Sequence, residues 1–283
     1  MDLDVDNLKR WIGAERISHD TITPRLAASL AAVLDAPTNL SDGDAAPVGI
    51  HWCLSPEVVP MHALGPDGHP ARGDFLPPVP LPRRMWAGGE LLFSGDFRVG
   101  DTVRRRSQVT DVAVKSGRSG VLCFVTVRHD YSTPRGLALQ ERHDIVYRGM
   151  TEGKAESPAA LIAAPKAEKT HSIAATPVLL MRYSAATFNG HRIHYDRSYC
   201  QTEESYPGLV VHGPLQATYL LQLACQMNAN TFPARFSFRG LQPLFDGAPF
   251  SVNGKQTGPD TSLWVENASG AMTMQASAGS QPG

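Results

Sequence analysis

The chain has 283 residues, 42% hydrophobic and 19% charged, with a formal net charge of -1. This suits one large domain or two of about 140 residues each, and it gives no field that would draw the protein onto nucleic acid or an acidic membrane. Cys53, Cys123, Cys200 and Cys225 form no Cys-x-x-Cys pair, which excludes a paired-cysteine zinc site and argues against a disulfide framework.

The start, "MDLDVDNLKRW", lacks the basic-then-apolar pattern of a leader, and no stretch reaches the ~18 apolar residues of a membrane span. A cytoplasmic protein is expected. The first element is a helix over 22–35, "ITPRLAASLAAVLD", with a Thr-Pro start and Leu26, Leu30, Val33 and Leu34 at helical spacing. Residues 64–86 follow as an irregular stretch dense in Pro and Gly. Segments 90–97, 102–114, 120–131 and 137–149 are rich in β-branched and aromatic residues and read as strands, two of them joined by the hairpin loop "KSGRSG". An Ala-, Pro- and Lys-rich stretch over 151–169 reads as a linker.

The second half opens on "TFNGHRIHYDR" (187–197), a polar cluster, and runs on to "LVVHGPLQATYLLQLACQMN" (209–228). Pro214 suits a first helical turn, and the helix over 214–228 has almost no polar face, so it must be buried on most sides. Strands are expected at 235–241, 248–256, 261–268 and 271–277. Each half then reads as one long helix followed by about four antiparallel strands. A curved sheet wrapped around one helix is a hotdog, and the expectation is an α+β double hotdog: residues 1–150, a linker, and residues 170–283.

His191 and His194 lie three apart and would share one face of a helical turn. His-x-x-His is a poor match to metal-ligand spacing and no acidic cluster supports it, so no metal is expected. Gly213 precedes the buried helix, where free backbone N–H groups and a partial positive charge can hold a developing oxyanion. Each of these residues also has an ordinary role open to it: a turn, a structural histidine, a plain helix start.

"FNGHRIHYD" followed by "GLVVHGPLQATYLLQL" resembles the MaoC-like (R)-specific enoyl-thioester hydratase/dehydratase family. In that family a loop carries Asp-x-Asn-Pro-(Ile/Leu/Val)-His, and a glycine opens the hotdog helix. The resemblance puts His194 in the catalytic His slot, Ile193 in the aliphatic slot and Gly213 in the oxyanion slot. This chain departs from the motif with Asn189 for Asp, His191 for Asn and Arg192 for Pro. With "RRMWAGG" (83–89) and "FSFRGLQPLFDGAPF" (236–250), these departures resemble the branch of mesaconyl-C4-CoA and itaconyl-CoA hydratases and the mitochondrial-type 3-hydroxyacyl-thioester dehydratases.

What the resemblance implies is a hydratase for a C5 dicarboxylic acyl-CoA, with one active site in the second half and the first half helping to form the substrate channel. His194 would be the sole acid/base group, Asn189 would orient water, and the Gly213 N–H would polarise the thioester carbonyl. Asp196 is a spare carboxylate. His191, Arg192, Tyr195 and His212 are expected at the substrate. Arg83, Arg84, Arg192, Arg197 and Arg239 are candidates for coenzyme A, and Arg84 or Arg182 for a free carboxylate. No cofactor is implied beyond the coenzyme A of the substrate, and no nucleic-acid or membrane partner. A homodimer or higher homo-oligomer fits the pattern without a specific signal. The alternatives are a 3-hydroxyacyl-ACP dehydratase, a thioesterase and a non-catalytic acyl-CoA-binding module. A thioesterase would need a carboxylate on the central helix, and 214–228 has none.

Overall fold

The computed structural model describes residues 3–117, 120–149 and 164–280. A short helix α1 (Val5–Lys9) is capped by Asp4 and leads into strand β1 (Glu15–Thr21), helix α2 (Pro24–Val33) and 3-10 turns at Ile50–Cys53 and Met61–Ala63. Strands β2 (Arg83–Phe93), β3 (Thr102–Gly117), β4 (Gly120–Thr133) and β5 (Gly136–Arg148) complete the first half. The second half runs β6 (Lys169–Ile173), α3 (Pro177–Thr187), a 3-10 turn Arg192–His194, α4 (Arg197–Thr202) and α5 (Gly213–Met227). Strands β7 (Arg235–Gly240), β8 (Phe250–Thr257), β9 (Asp260–Glu266) and β10 (Met272–Gly279) close it.

The ten strands of the described residues join one sheet in the order β1-β3-β4-β5-β2-β7-β10-β9-β8-β6. Split at the β2–β7 seam, the first-half order β1-β3-β4-β5-β2 repeats as β6-β8-β9-β10-β7. The seam is antiparallel, with Gly88 opposite Arg239 and Leu91 opposite Phe236. This is the double hotdog expected from the sequence, with five strands per half rather than four. The added strands, β1 and β6, are the sheet edges. Their faces are largely exposed, so neither carries a buried apolar stripe that sequence patterning could find.

Helix α5 fits the sequence reading. Leu215, Leu220, Leu221 and Leu223 are buried, and the helix packs on β7, β8, β9 and β10. Each fully buried leucine contributes roughly 1.5–3 kcal/mol of transfer free energy, so the apolar circumference explains why the sheet wraps it.

The first-half helix is present but holds a different place. Thr23 and Thr176 both N-cap a helix that starts on proline, accepting from the N–H of Leu26 and of Leu179 at 3.1 Å each. By chain order and capping, α2 corresponds to α3, and the two pack on each other. The place of α5 in the first half is taken by the 3-10 turn Ile50–Cys53, entered through left-handed Gly49. The long central helix expected there is therefore absent among the described residues of the first half. Strand β2 also starts at Arg83, inside the stretch read as irregular. The linker reading at 151–169 falls mostly outside the described residues, and β6 begins at its last residue. No described helix is long and apolar enough to cross a membrane.

Candidate active site

The polar cluster forms where α3 ends. Phe188 turns left-handed (φ 51°), the Asn189 N–H donates to the Ser184 carbonyl at 2.8 Å, and Asn189 Oδ1 accepts the His191 N–H at 2.9 Å. This turn delivers His194, which is 6% exposed. Its Nδ1 lies 2.7 Å from the Val210 carbonyl oxygen. A carbonyl only accepts, so Nδ1 carries the proton and Nε2 keeps its lone pair. Burial draws the pKa of His194 down to about 4, so the ring is a neutral base at pH 7.

His212 stacks on His194 with ring centroids 3.6 Å apart. It has no exposed surface and bonds Ser184 Oγ through Nε2 at 2.9 Å. Burial, then the neighbouring His194 and His191, hold its pKa well below 6.5. His212, expected at the substrate, has no exposed surface and backs the His194 ring.

Gly213 is the first residue of α5. No described residue accepts its N–H, which leaves a donor at the positive end of a buried helix. A Cβ at Gly213 would sit 2.8 Å from Cε3 of Trp86. Trp86 comes from β2, so one wall beside this N–H belongs to the first half.

The first half also supplies Asp67 and His69, which the sequence reading missed inside a stretch read as irregular. Asp67 Oδ2 and His69 Nδ1 are 3.0 Å apart, and the rings of His69 and His191 are 4.1 Å apart. The loop is locked in place: the Arg192 N–H donates to the Asp67 carbonyl at 2.9 Å, and a Cβ on Gly68 (φ 86°) would collide with the Gly190 carbonyl. Burial, then the charge of His69, hold His191 down at about 2. Ligand atoms of Asp67, His69 and His191 lie within 4.8 Å of one another, so these three could hold a divalent ion. The only signal in the sequence was "GPDGHP", which reads as a turn.

The remaining candidates divide by partner. Arg192 pairs with Asp196 at 2.8 Å, reaches the Pro66 carbonyl at 3.1 Å and stacks over Tyr199. Asp196 also caps α4 through the Tyr199 N–H at 3.0 Å. Arg197 is bound to the buried carboxylate of Asp246. Arg83 pairs with Glu204 at 3.1 Å. Arg83, Arg192 and Arg197 are thus each engaged in holding loops, and the structure gives each of them a carboxylate partner within the chain. Tyr195 is half exposed and bonds the Gly190 carbonyl at 3.0 Å. Arg182 and Arg239 are exposed and carry no ion pair with a described residue. Arg84 likewise lacks a carboxylate partner among the described residues, and it lines a cavity in the first half.

Comparison with known proteins bears on this geometry. The family described as hydroxyacyl-thioester dehydratase type 2 matches residues 49–246, which span Trp86, His194 and Gly213. The chain belongs to that family. It is 40% identical over 275 residues to the mesaconyl-C(4)-CoA hydratase of Chloroflexus aurantiacus, covering 94% of this chain and 95% of that one. Its fold is similar to a MaoC-like dehydratase from Phytophthora capsici (TM-score 0.69, 15% identity, 99% of this chain and 100% of that one). It is also similar to a Mycobacterium tuberculosis protein described as a double hotdog (TM-score 0.57, 14% identity, 95% and 96% coverage).

Proposed function

We propose that the protein is a hydro-lyase that adds water across the double bond of an α,β-unsaturated C5 dicarboxylic acyl-CoA, mesaconyl-C4-CoA, to give citramalyl-CoA. The observation that carries this is the pairing of His194, its Nε2 lone pair free, with the unclaimed Gly213 N–H at the start of α5. The 40% identity to a mesaconyl-C(4)-CoA hydratase supports the substrate class.

The steps follow from elementary chemistry. His194 Nε2 takes a proton from water as the oxygen attacks the β-carbon. The electron pair moves onto the thioester oxygen, where the Gly213 N–H meets the developing charge. The imidazolium then returns the proton to the α-carbon, so one water is added and His194 is regenerated. Asn189 takes no proton near neutrality. With its Oδ1 turned to His191, its amide N–H groups are left to hold the water. Itaconyl-CoA has its double bond out of conjugation. The same histidine would first have to move it, so that activity is chemically compatible with this site.

Arg239, exposed at the seam and without an ion pair to a described residue, is our candidate for a coenzyme A phosphate. The absence of Asp and Glu from α5 removes the base that a hotdog thioesterase would use on that helix. The family match favours one second reading, dehydration of a 3-hydroxyacyl thioester, which is the same chemistry in reverse. Turnover of mesaconyl-C4-CoA, itaconyl-CoA and crotonyl-CoA tests the assignment. We expect mesaconyl-C4-CoA to be best, and crotonyl-CoA ahead of both dicarboxylic substrates would overturn it.

A further inference from the structure

Where α5 lies in the second half, the first half contains a cavity of about 240 Å³. Trp52, Arg84, Arg105, Ser107, His129 and His143 line its inner part. This is an unusual filling for space that a hotdog closes with an apolar helix. Four arginines (Arg16, Arg72, Arg84 and Arg105) face two carboxylates (Glu57 and Asp74) in the lining, and both carboxylates are taken by Arg16. Arg72 is spent on the carbonyls of Val79, Leu81 and Pro82. Arg105 donates to the Leu54 and Ser55 carbonyls, at 3.2 and 2.7 Å, and its Nε is buried without a partner. The buried Glu141, outside the lining, accepts from Trp52 Nε1 at 2.9 Å and Tyr131 at 3.0 Å and feels the charge of Arg105. Arg84 has no carboxylate partner among the described residues, and His143 makes ring contacts but no hydrogen bond. The cavity therefore holds the Arg84 guanidinium with no ion pair to a described carboxylate, and an Arg105 Nε without a hydrogen bond. Such a site is built for an anion.

Its position relative to the reacting atoms is fixed by β2. Arg84 and Trp86 are two residues apart and so lie on one face of the strand, roughly 7 Å apart along it. Trp86 packs on Gly213 and stands edge-on to Trp52 and His143. Arg84 lines the cavity with His143, and its positive charge also reaches His69 and His191. In a C4-linked mesaconyl chain the free carboxylate is carried by the β-carbon, a few bonds from the thioester carbonyl. An acyl group with its carbonyl at the Gly213 N–H would thus present its carboxylate to the Arg84 side of Trp86.

Building on the hydratase reading above, we propose that this cavity is the carboxylate-recognition subsite. Arg84 is its anion-binding group, Arg105 supplies a fixed second charge, and His143 is a further donor or water anchor. Arg182, on the exposed side of α3 and outside the cavity lining, takes no part.

The test compares two substrates of nearly equal shape on the full chain: mesaconyl-C4-CoA, and 3-methylcrotonyl-CoA, in which a methyl group replaces the carboxylate. Arg84→Gln should lower kcat/KM for the acid roughly 100-fold while changing that for the methyl isostere less than about threefold. Arg84→Lys should recover part of the loss, because the charge returns without the bidentate fork. Arg182→Gln should alter neither substrate. Equal losses on both substrates would overturn the proposal and assign Arg84 to the coenzyme A moiety or to folding; unchanged turnover of the acid would overturn it outright. Calorimetric binding of the two thioesters judges the cavity separately from the chemistry. Tighter binding of the acid that vanishes in Arg84→Gln supports the subsite even if wild type hydrates neither compound, and equal binding of both by wild type overturns it.

Discussion

The two halves share one strand order and differ in what fills it. The second half wraps its sheet around α5, fifteen residues long with ten of them buried. The first half has a four-residue 3-10 turn at that place and a polar cavity beneath it. The difference teaches that the sheet is a scaffold and that its filling decides the task. A filled half presents a helix N-terminus and a base. An emptied half presents walls, Trp86, the Asp67–His69 loop and the Arg84 cavity, to the same centre.

The largest effect should come from the base itself. His194→Ala should reduce kcat for mesaconyl-C4-CoA roughly 10³-fold, whereas replacing His51, buried in the 3-10 turn at the matching place, should leave kcat within about fivefold. Near-normal turnover by His194→Ala would erase the asymmetry between the halves. Next is the helix. Leu220→Ala should cost about 2–5 kcal/mol in denaturant unfolding, against about 1 kcal/mol for Ile50→Val in the short turn. Equal losses per methylene removed would show that the first half is packed as tightly as the second.

Gly68→Ala should be the sharpest test of how the halves dock. The new methyl meets the Gly190 carbonyl at a left-handed position, so stability should fall by about 1–3 kcal/mol. Turnover should fall with it, since Asp67 and His69 would leave His191. An unchanged melting temperature would mean that the loop does not seat the cluster. The mildest perturbation is pH. Burial lowers His51 and His143 to about 3 in the first half and His194 to about 4 in the second. Because these folded values lie below the unfolded one near 6.5, the unfolded chain binds more protons as pH falls. Stability should be full above pH 6.5 and decline toward pH 4. The acid limb of kcat/KM should lie near pH 4, and a limb near 6.5 would show His194 to be solvated.

The sequence made legible what one continuous segment encodes. Helix α5 could be read because Leu215, Leu220, Leu221 and Leu223 leave it no polar face. His194 and Gly213 could be singled out because each sits in a short motif next to that helix. Residues whose role comes from distant partners could not be read. Arg83 and Arg197 look free until Glu204 and Asp246 fold against them. Asp67 and His69 look like a turn until the Gly190 segment docks on it. Arg84, Arg105 and His143 alternate along ordinary strands, and only the missing first-half helix turns them toward a cavity.

The seam between β2 and β7 has a further consequence, in heredity. Two identical hotdogs meeting as a homodimer would inherit every substitution twice, so a helix given up to make room for an acyl group would be lost from the catalytic side as well. Joining both copies in one chain breaks that constraint. Each half can then vary alone, and a change of substrate can be written on β2, β3 and β5 without touching His194 or Gly213.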